Sequence, residues 1–159
     1  LGKQLLPVGM LGVLDSVFNR IIRNRKLGKN TWLYIDEIYL LFQHEYSANF
    51  LFTLWKRVRK YGAYVTGCTQ NVEDLLQSHT ARTMLANSEF LIMLNQAPTD
   101  RLELAKLLSI SDQQLSHITN VEAGTGLIKC GSAIVPFEDR FPKDTKLYGL
   151  LTTKPNEKF

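Results

Sequence analysis

Thr31-Trp32-Leu33-Tyr34-Ile35-Asp36-Glu37 is the stretch whose reading decides the fold. Five residues suited to a strand run without a break into two adjacent carboxylates. A strand of this kind reads as a buried member of a parallel sheet. It delivers its acids to the carboxyl edge, where α/β folds bind ligands. The other reading is blander: a strand end followed by a solvated acidic turn. The residues on either side bear on the choice.

Upstream, Leu11, Leu14, Phe18, Ile21 and Ile22 recur at helical spacing, which predicts an amphipathic helix over 10–25. Its far end is basic (Arg20, Arg23, Arg25, Lys26), as suits a helix C-terminus, and Gly28 is the stop signal. Residues 38–43 continue apolar, as a turn leaving the strand. A second helix is expected over 47–61, with Ser47 as its cap and Phe50, Leu51, Leu54, Trp55 and Val58 as its buried stripe. Lys56, Arg57, Arg59 and Lys60 crowd its last turn before Gly62.

Residues 63–69 form the next strand, followed by Gln70 and Asn71, and two short helices follow over 72–77 and 79–87. Residues 89–94 read as a third strand. Pro98 opens another helix, where its missing N–H costs nothing, and this helix runs to about Leu108. Ser111 to Gln114 fits a capping box. Residues 126–130 and 133–137 are short strands joined through Gly131-Ser132, a hairpin signal. The order strand–helix–strand–helix–strand argues for one parallel sheet with helices on both faces and the hairpin at an edge. Residues 1–142 would then form one α/β unit, with 143–159 a loose polar tail.

With 45% hydrophobic and 21% charged residues, the 159-residue chain can build an ordinary core as one domain or a piece of one. No apolar run approaches the ~20 residues of a membrane span. Lys3 precedes only a short apolar run, broken by Pro7 and Gly9, which is not a signal-peptide pattern. The chain starts at Leu1, in residues that read as the middle of a domain, and this suggests a piece of something longer. A net charge of +4 permits nucleic acid or anionic lipid as a partner without demanding either. Cys68 and Cys130 lie in apolar strand-like contexts and read as buried free thiols in a reducing compartment. His44, His79 and His117 match no metal spacing.

If the sheet reading holds, three features converge: Asp36 and Glu37 on one strand end, Gln70 on the neighbouring one, and Arg59 on the helix between. A glutamine past a parallel strand can hydrogen-bond a γ-phosphate or an attacking water, or simply satisfy loop backbone. Arg59 can be an arginine finger for a neighbouring subunit's nucleotide, or a solvated cation complementing the helix dipole. Spacing alone does not choose. Trp55, Tyr61 and Tyr64 likewise read either as helix–sheet packing or as a subunit interface.

The pattern Trp32 to Glu37, Arg59-Lys60-Tyr61-Gly62, then Cys68-Thr69-Gln70-Asn71, resembles the ATPases of conjugative type IV secretion systems. These belong to the FtsK–HerA group of hexameric RecA-like motors. The eleven positions from Arg59 to Gln70 match the spacing in that group. Asn87 to Phe90 and Leu94 to Gln96 resemble its next strand; Gly124 to Lys129 and Val135 to Phe137 resemble its closing hairpin. The resemblance spans about residues 10–142 and is nearest to the conjugative-transposon ATPase that energises the channel.

The resemblance implies a RecA-like P-loop NTPase core with a parallel sheet flanked by helices and a C-terminal β-hairpin. It further implies ATP and Mg²⁺ as cofactors. Asp36 would be the Walker B acid for Mg²⁺, Glu37 the catalytic base, Gln70 the γ-phosphate sensor, and Arg59 the finger acting in trans, with Arg57 as the fallback. A hexameric homo-oligomer is implied, with type IV secretion channel and coupling proteins as partners, in the cytoplasm at the inner face of the membrane.

One departure is large. Gly-x-x-x-x-Gly-Lys-Ser/Thr occurs nowhere in the chain, and Leu1-Gly2-Lys3-Gln4 lacks both the upstream glycine and the hydroxyl. The backbone donors that cradle phosphate are therefore missing. The chain alone is expected to bind ATP poorly and not to hydrolyse it. Two alternatives stay open. One is a DNA-translocating, coupling-type motor of the same superfamily, whose activity would rise with DNA; no basic run longer than two residues lies outside 56–60 to support it. The other is a non-catalytic assembly or interaction module, which oligomeric state would reveal.

Overall fold

The computed structural model describes residues 6–70 and 72–153. The chain divides into two compact units, 1–87 and 88–159.

The first unit opens with helix α1, Leu6–Lys26. Leu14 and Ile21 of the expected stripe are buried, and Phe18 packs against the same core. Gly28 ends the segment at φ 70°, a left-handed conformation that glycine adopts freely. Strand β1, Thr31–Ile35, pairs in parallel with β2, Ala63–Gly67, in the register Thr31↔Ala63 to Ile35↔Gly67. A 3-10 turn over Ile38–Phe42 carries the apolar run away from β1, and α2, Glu45–Arg57, continues into a second 3-10 turn, Val58–Tyr61.

Leu51, Leu54 and Val58 of α2 and its extension are buried; Phe50, Trp55 and Tyr61 pack around them. Tyr61 meets Phe18 edge-on, with centroids 5.6 Å apart. Trp55 and Tyr61 are therefore packing residues, whereas Tyr64 is exposed on the sheet. Ser47 is not the cap of α2. It lies in the first turn, buried, with its hydroxyl donating to the carbonyls of Leu41 (2.6 Å) and His44 (3.0 Å). It thus ties the 3-10 turn to the helix start, a contact that a cap motif does not foreshadow. Helices α3, Val72–Gln77, and α4, His79–Ala86, complete the unit, with the Ser78 hydroxyl capping α4.

β1 is only half buried. Leu33 and Ile35 face the core, while Trp32 (63% exposed) and Tyr34 (68%) point away. Trp32 stacks on Tyr64 across the strands at 4.3 Å, so the aromatic run that suggested burial on both faces is partly a cross-strand pair.

In the second unit, β3, Phe90–Met93, runs antiparallel to β4, Thr125–Cys130, which pairs with β5, Ala133–Glu138. The hairpin turn falls at Gly131-Ser132, as its residues dictate, with Cys130 opposite Ala133. The expectation that β3 joins β1 and β2 in one parallel sheet is corrected: among the described residues there are two sheets, β1–β2 and β3–β4–β5. Strand order along the chain does not say which partner a strand's hydrogen bonds reach.

Helix α5, Pro98–Leu108, starts at its proline, and Ser111 caps α6, Asp112–Leu115, in a full capping box with Gln114. Met93, Leu104, Leu108, Ile118 and Leu127 are buried in this unit. The expected loose tail contains a further helix, α7, Lys146–Leu151, whose N-cap Thr145 accepts from the Tyr148 N–H. A threonine three residues ahead of a backbone donor is a cap signal that polar composition hides. Both cysteines are free and exposed rather than buried. Cys68 lies just past the end of β2 and Cys130 at the last position of β4, where each apolar run leaves its core.

Candidate active site at the carboxyl edge of the parallel sheet

Because β1 and β2 are parallel, both chains emerge at the same edge. The ladder extends past the strand ends on both sides of one residue. The Cys68 N–H donates to the Ile35 carbonyl (2.8 Å), and the Cys68 carbonyl accepts from the Ile38 N–H (2.9 Å). Asp36 and Glu37 are the two residues between these bonds, so they form a two-residue excursion pinched by Cys68. Closing so short a loop puts Glu37 at φ 48°, ψ 48°, in the left-handed region that a side chain with a Cβ rarely takes.

The excursion organises the acids. Asp36 Oδ1 accepts the Glu37 N–H at 3.0 Å, and Asp36 is otherwise exposed. Glu37 is half-buried. Its Oε1 stands 3.5 Å from Gln70 Nε2, a long contact at the limit of hydrogen bonding. Its Oε2 is buried with no hydrogen-bond partner among the described residues. An unpaired buried carboxylate oxygen costs about 1–3 kcal/mol and is an acceptor held ready for a donor. Asp36, Glu37 and Gln70 thus converge as the sequence reading expects.

Arg59 does not join them. It precedes β2 in the 3-10 turn Val58–Tyr61, at the amino edge, while Gln70 lies beyond the far end of that strand. A five-residue strand is about 16 Å long. The expected convergence of Arg59 on this site within one chain is therefore corrected. The helix between the two strands runs back down, so its C-terminus meets the edge where the next strand starts. There Arg59 has company. The end of α1 brings Arg23, Arg25 and Lys26, and the end of α2 with its 3-10 extension brings Lys56, Arg57 and Lys60. A Cβ on Gly62 would stand 3.6 Å from Arg25 Nη1, so the two helix ends meet at that glycine. None of these seven cations forms a salt bridge with another described residue.

Mg²⁺ asks for one or two protein carboxylates and otherwise takes water and phosphate oxygens. The carboxyl edge fits that demand, with an exposed Asp36 beside an unpartnered Glu37 oxygen. Among the described residues no group of three or more His, Cys, Asp or Glu side chains is placed to hold a metal ion. No helix among them is long and apolar enough to cross a membrane.

The TraG P-loop domain family matches residues 2–126, well over half of the chain and all of both site edges. The chain belongs to that family. Among solved structures, VirB4 of Thermoanaerobacter pseudethanolicus matches with a TM-score of 0.75 and 25% identity over 84% of this chain. The match covers 36% of that protein, so the chain spans about a third of its length. A comparison with curated proteins gives no match. Membership in the TraG P-loop family and the VirB4-like fold bear out the family and α/β fold class expected from the strand motifs.

Two features of this TraG-family site escape sequence reasoning. The left-handed Glu37 has no signal, because a glutamate is a poor guide to positive φ. The pair of hydrogen bonds that ties Cys68 to Ile35 and Ile38 involves backbone alone, which no side-chain pattern reports.

Proposed function

We propose that the chain is the distal part of the RecA-like motor ATPase of a conjugative type IV secretion machine. The observation that carries this reading is the Asp36–Glu37–Gln70 constellation at the carboxyl edge of a parallel sheet in a TraG P-loop family chain. Asp36 is the residue to hold Mg²⁺, which when bound neutralises phosphate charge. Glu37, through its carboxylate, accepts a proton from the water that attacks the γ-phosphorus, and ADP leaves. Gln70 offers an amide N–H to the γ-phosphate or to that water and reports the phosphate's presence to β2.

Arg59 serves a nucleotide bound to a neighbouring subunit, with Arg57 as the fallback. Its place at the opposite edge favours action in trans, as in a head-to-tail ring. We take the ring to be hexameric, docked through partner proteins at the cytoplasmic face of a secretion channel. The loop that cradles the phosphates is not in this sequence. The 159-residue chain by itself is therefore expected to show no magnesium-dependent ATP turnover, and measurable turnover would count against the assignment.

The test is ATP hydrolysis by the full-length polypeptide that contains this chain, with Glu37→Gln beside wild type. The reading holds if the variant binds ATP and loses turnover by roughly 10²–10⁴-fold. Equal turnover in both makes Asp36-Glu37 a mere strand end and moves a non-catalytic assembly role to the front.

A further inference from the structure

Glu37 occupies a backbone conformation that it does not choose. A residue in the left-handed region persists only where its surroundings over-determine it. On the near side, Ile35 is fixed by the sheet and by the Cys68 N–H. On the far side, Ile38 is fixed twice. Its N–H donates to the Cys68 carbonyl at 2.9 Å. Its side chain is buried in the core of the first unit.

That side chain lies directly on Gly67, the last residue of β2. A Cβ built on Gly67 would overlap Ile38 Cδ1 and would stand 3.3 Å from Cγ2 and 3.4 Å from Cβ. Gly67 has no positive φ, so its backbone does not call for glycine. What calls for glycine is the space that Ile38 fills.

We propose that Gly67 and Ile38 form a lock that positions Glu37: the bare glycine lets the isoleucine seat on the end of β2, and the seated isoleucine holds Glu37 in its left-handed conformation. Both are positioning residues. Neither touches the reacting atoms. The lock sets the direction of the Glu37 carboxylate, with one oxygen 3.5 Å from Gln70 and the other buried and unpaired. A methyl group on the backbone of Gly67 pushes Ile38 outward, relaxes Glu37 and swings its carboxylate away from the water it is to activate. This inference rests on the reading of Glu37 as the base, so its test must separate the two.

The experiment measures steady-state ATP hydrolysis and nucleotide binding in the full-length polypeptide. The variants are Gly67→Ala, Ile38→Val, the pair Ile38→Val/Gly67→Ala, Glu37→Gln and Glu37→Gln/Gly67→Ala. Gly67→Ala should lower kcat by roughly 10²-fold, the usual cost of displacing a reacting group by about an ångström, with nucleotide affinity little changed. Ile38→Val removes the Cδ1 methyl group that the added Cβ would overlap. The pair conserves total volume, should recover most of the lost kcat and should exceed Gly67→Ala alone by a wide margin.

The decisive arm is non-additivity. With Glu37→Gln already in place there is no base to misplace, so adding Gly67→Ala should cost no further turnover. Loss multiplied in full on that background, or a pair no better than Gly67→Ala, overturns the lock. If Gly67→Ala fails to fold by circular dichroism, the comparison of the pair with Ile38→Val decides: turnover in the pair at least equal to that of Ile38→Val supports the lock, and a further loss of about 10²-fold overturns it. Wild-type turnover in Glu37→Gln alone would overturn the base itself, and is distinguishable because it involves no change at Ile38 or Gly67.

Discussion

The two edges of the β1–β2 sheet are built by opposite means. At the carboxyl edge two acids sit in a two-residue excursion, pinched by both peptide groups of Cys68, with one of them forced into a left-handed backbone. At the amino edge two helix C-termini run out into seven exposed cations, and the left-handed positions there are Gly28 and Gly62, where positive φ costs little. The carboxyl edge spends strain on placing a single carboxylate. The amino edge makes a positive field from many interchangeable side chains, each complementing a helix dipole. The difference teaches where to look for sensitivity: one atom out of place matters at the first edge, and one charge removed should be absorbed at the second.

The proposed role of Arg59 breaks that rule, which makes it the sharpest test. If Arg59 is a finger, one cation among seven must outweigh the rest. In the full-length polypeptide Arg59→Ala should lower turnover by roughly 10³-fold or more, whereas Arg57→Ala and Lys60→Ala should change it by less than about tenfold, as surface charges do. Mixing Arg59→Ala subunits with Glu37→Gln subunits should restore part of the activity. A mixed interface pairs an intact carboxyl edge with an intact amino edge. Equal losses at Arg57, Arg59 and Lys60 would return the amino edge to a mere field, and no recovery on mixing would remove the action in trans.

A smaller effect is expected at Gln70, which contacts Glu37 only at 3.5 Å. Gln70→Ala should cost roughly 10²-fold in kcat, comparable to removing one donor from a charge-stabilising site. Combined with Glu37→Gln it should cost less than the product of the two, because the proposed roles put both residues on the same water. Strict additivity would place Gln70 outside the site.

The same contrast explains what the sequence discloses. Turn and cap chemistry is local, so Gly28, Pro98, the Ser111–Gln114 box and the Gly131-Ser132 turn all do what their residue types demand. The approach of Asp36-Glu37 to Gln70 is legible too, because two parallel strands must share an edge. Long-range choices are not. Nothing in Phe90 to Met93 says that its hydrogen bonds go to β4, and nothing in Ser47 says that its hydroxyl turns back to Leu41. The place of Arg59 is hidden for a geometric reason. A helix that returns along a parallel sheet ends at the opposite edge, so an arginine adjacent in sequence to β2 lies far from Gln70 in space.

The smallest expected effects concern stability, and they have opposite signs at the two edges. Glu37 carries a left-handed backbone and an unpaired buried oxygen, both costs to the fold. Glu37→Gly removes both, against a larger loss of chain entropy on folding. It should therefore raise stability by about 1 kcal/mol, a few degrees in Tm, while abolishing turnover. At the amino edge the reverse substitution should hurt. Gly62 has φ 64°, and a Cβ there would stand 2.9 Å from Asn30 Oδ1. Gly62→Ala should lower stability by about 1–2 kcal/mol. Denaturant melts of both variants beside wild type read the signs directly. A Glu37→Gly variant less stable than wild type would mean that the left-handed turn is comfortable with its glutamate. The strain at the carboxyl edge, on which its contrast with the amino edge depends, would then be absent.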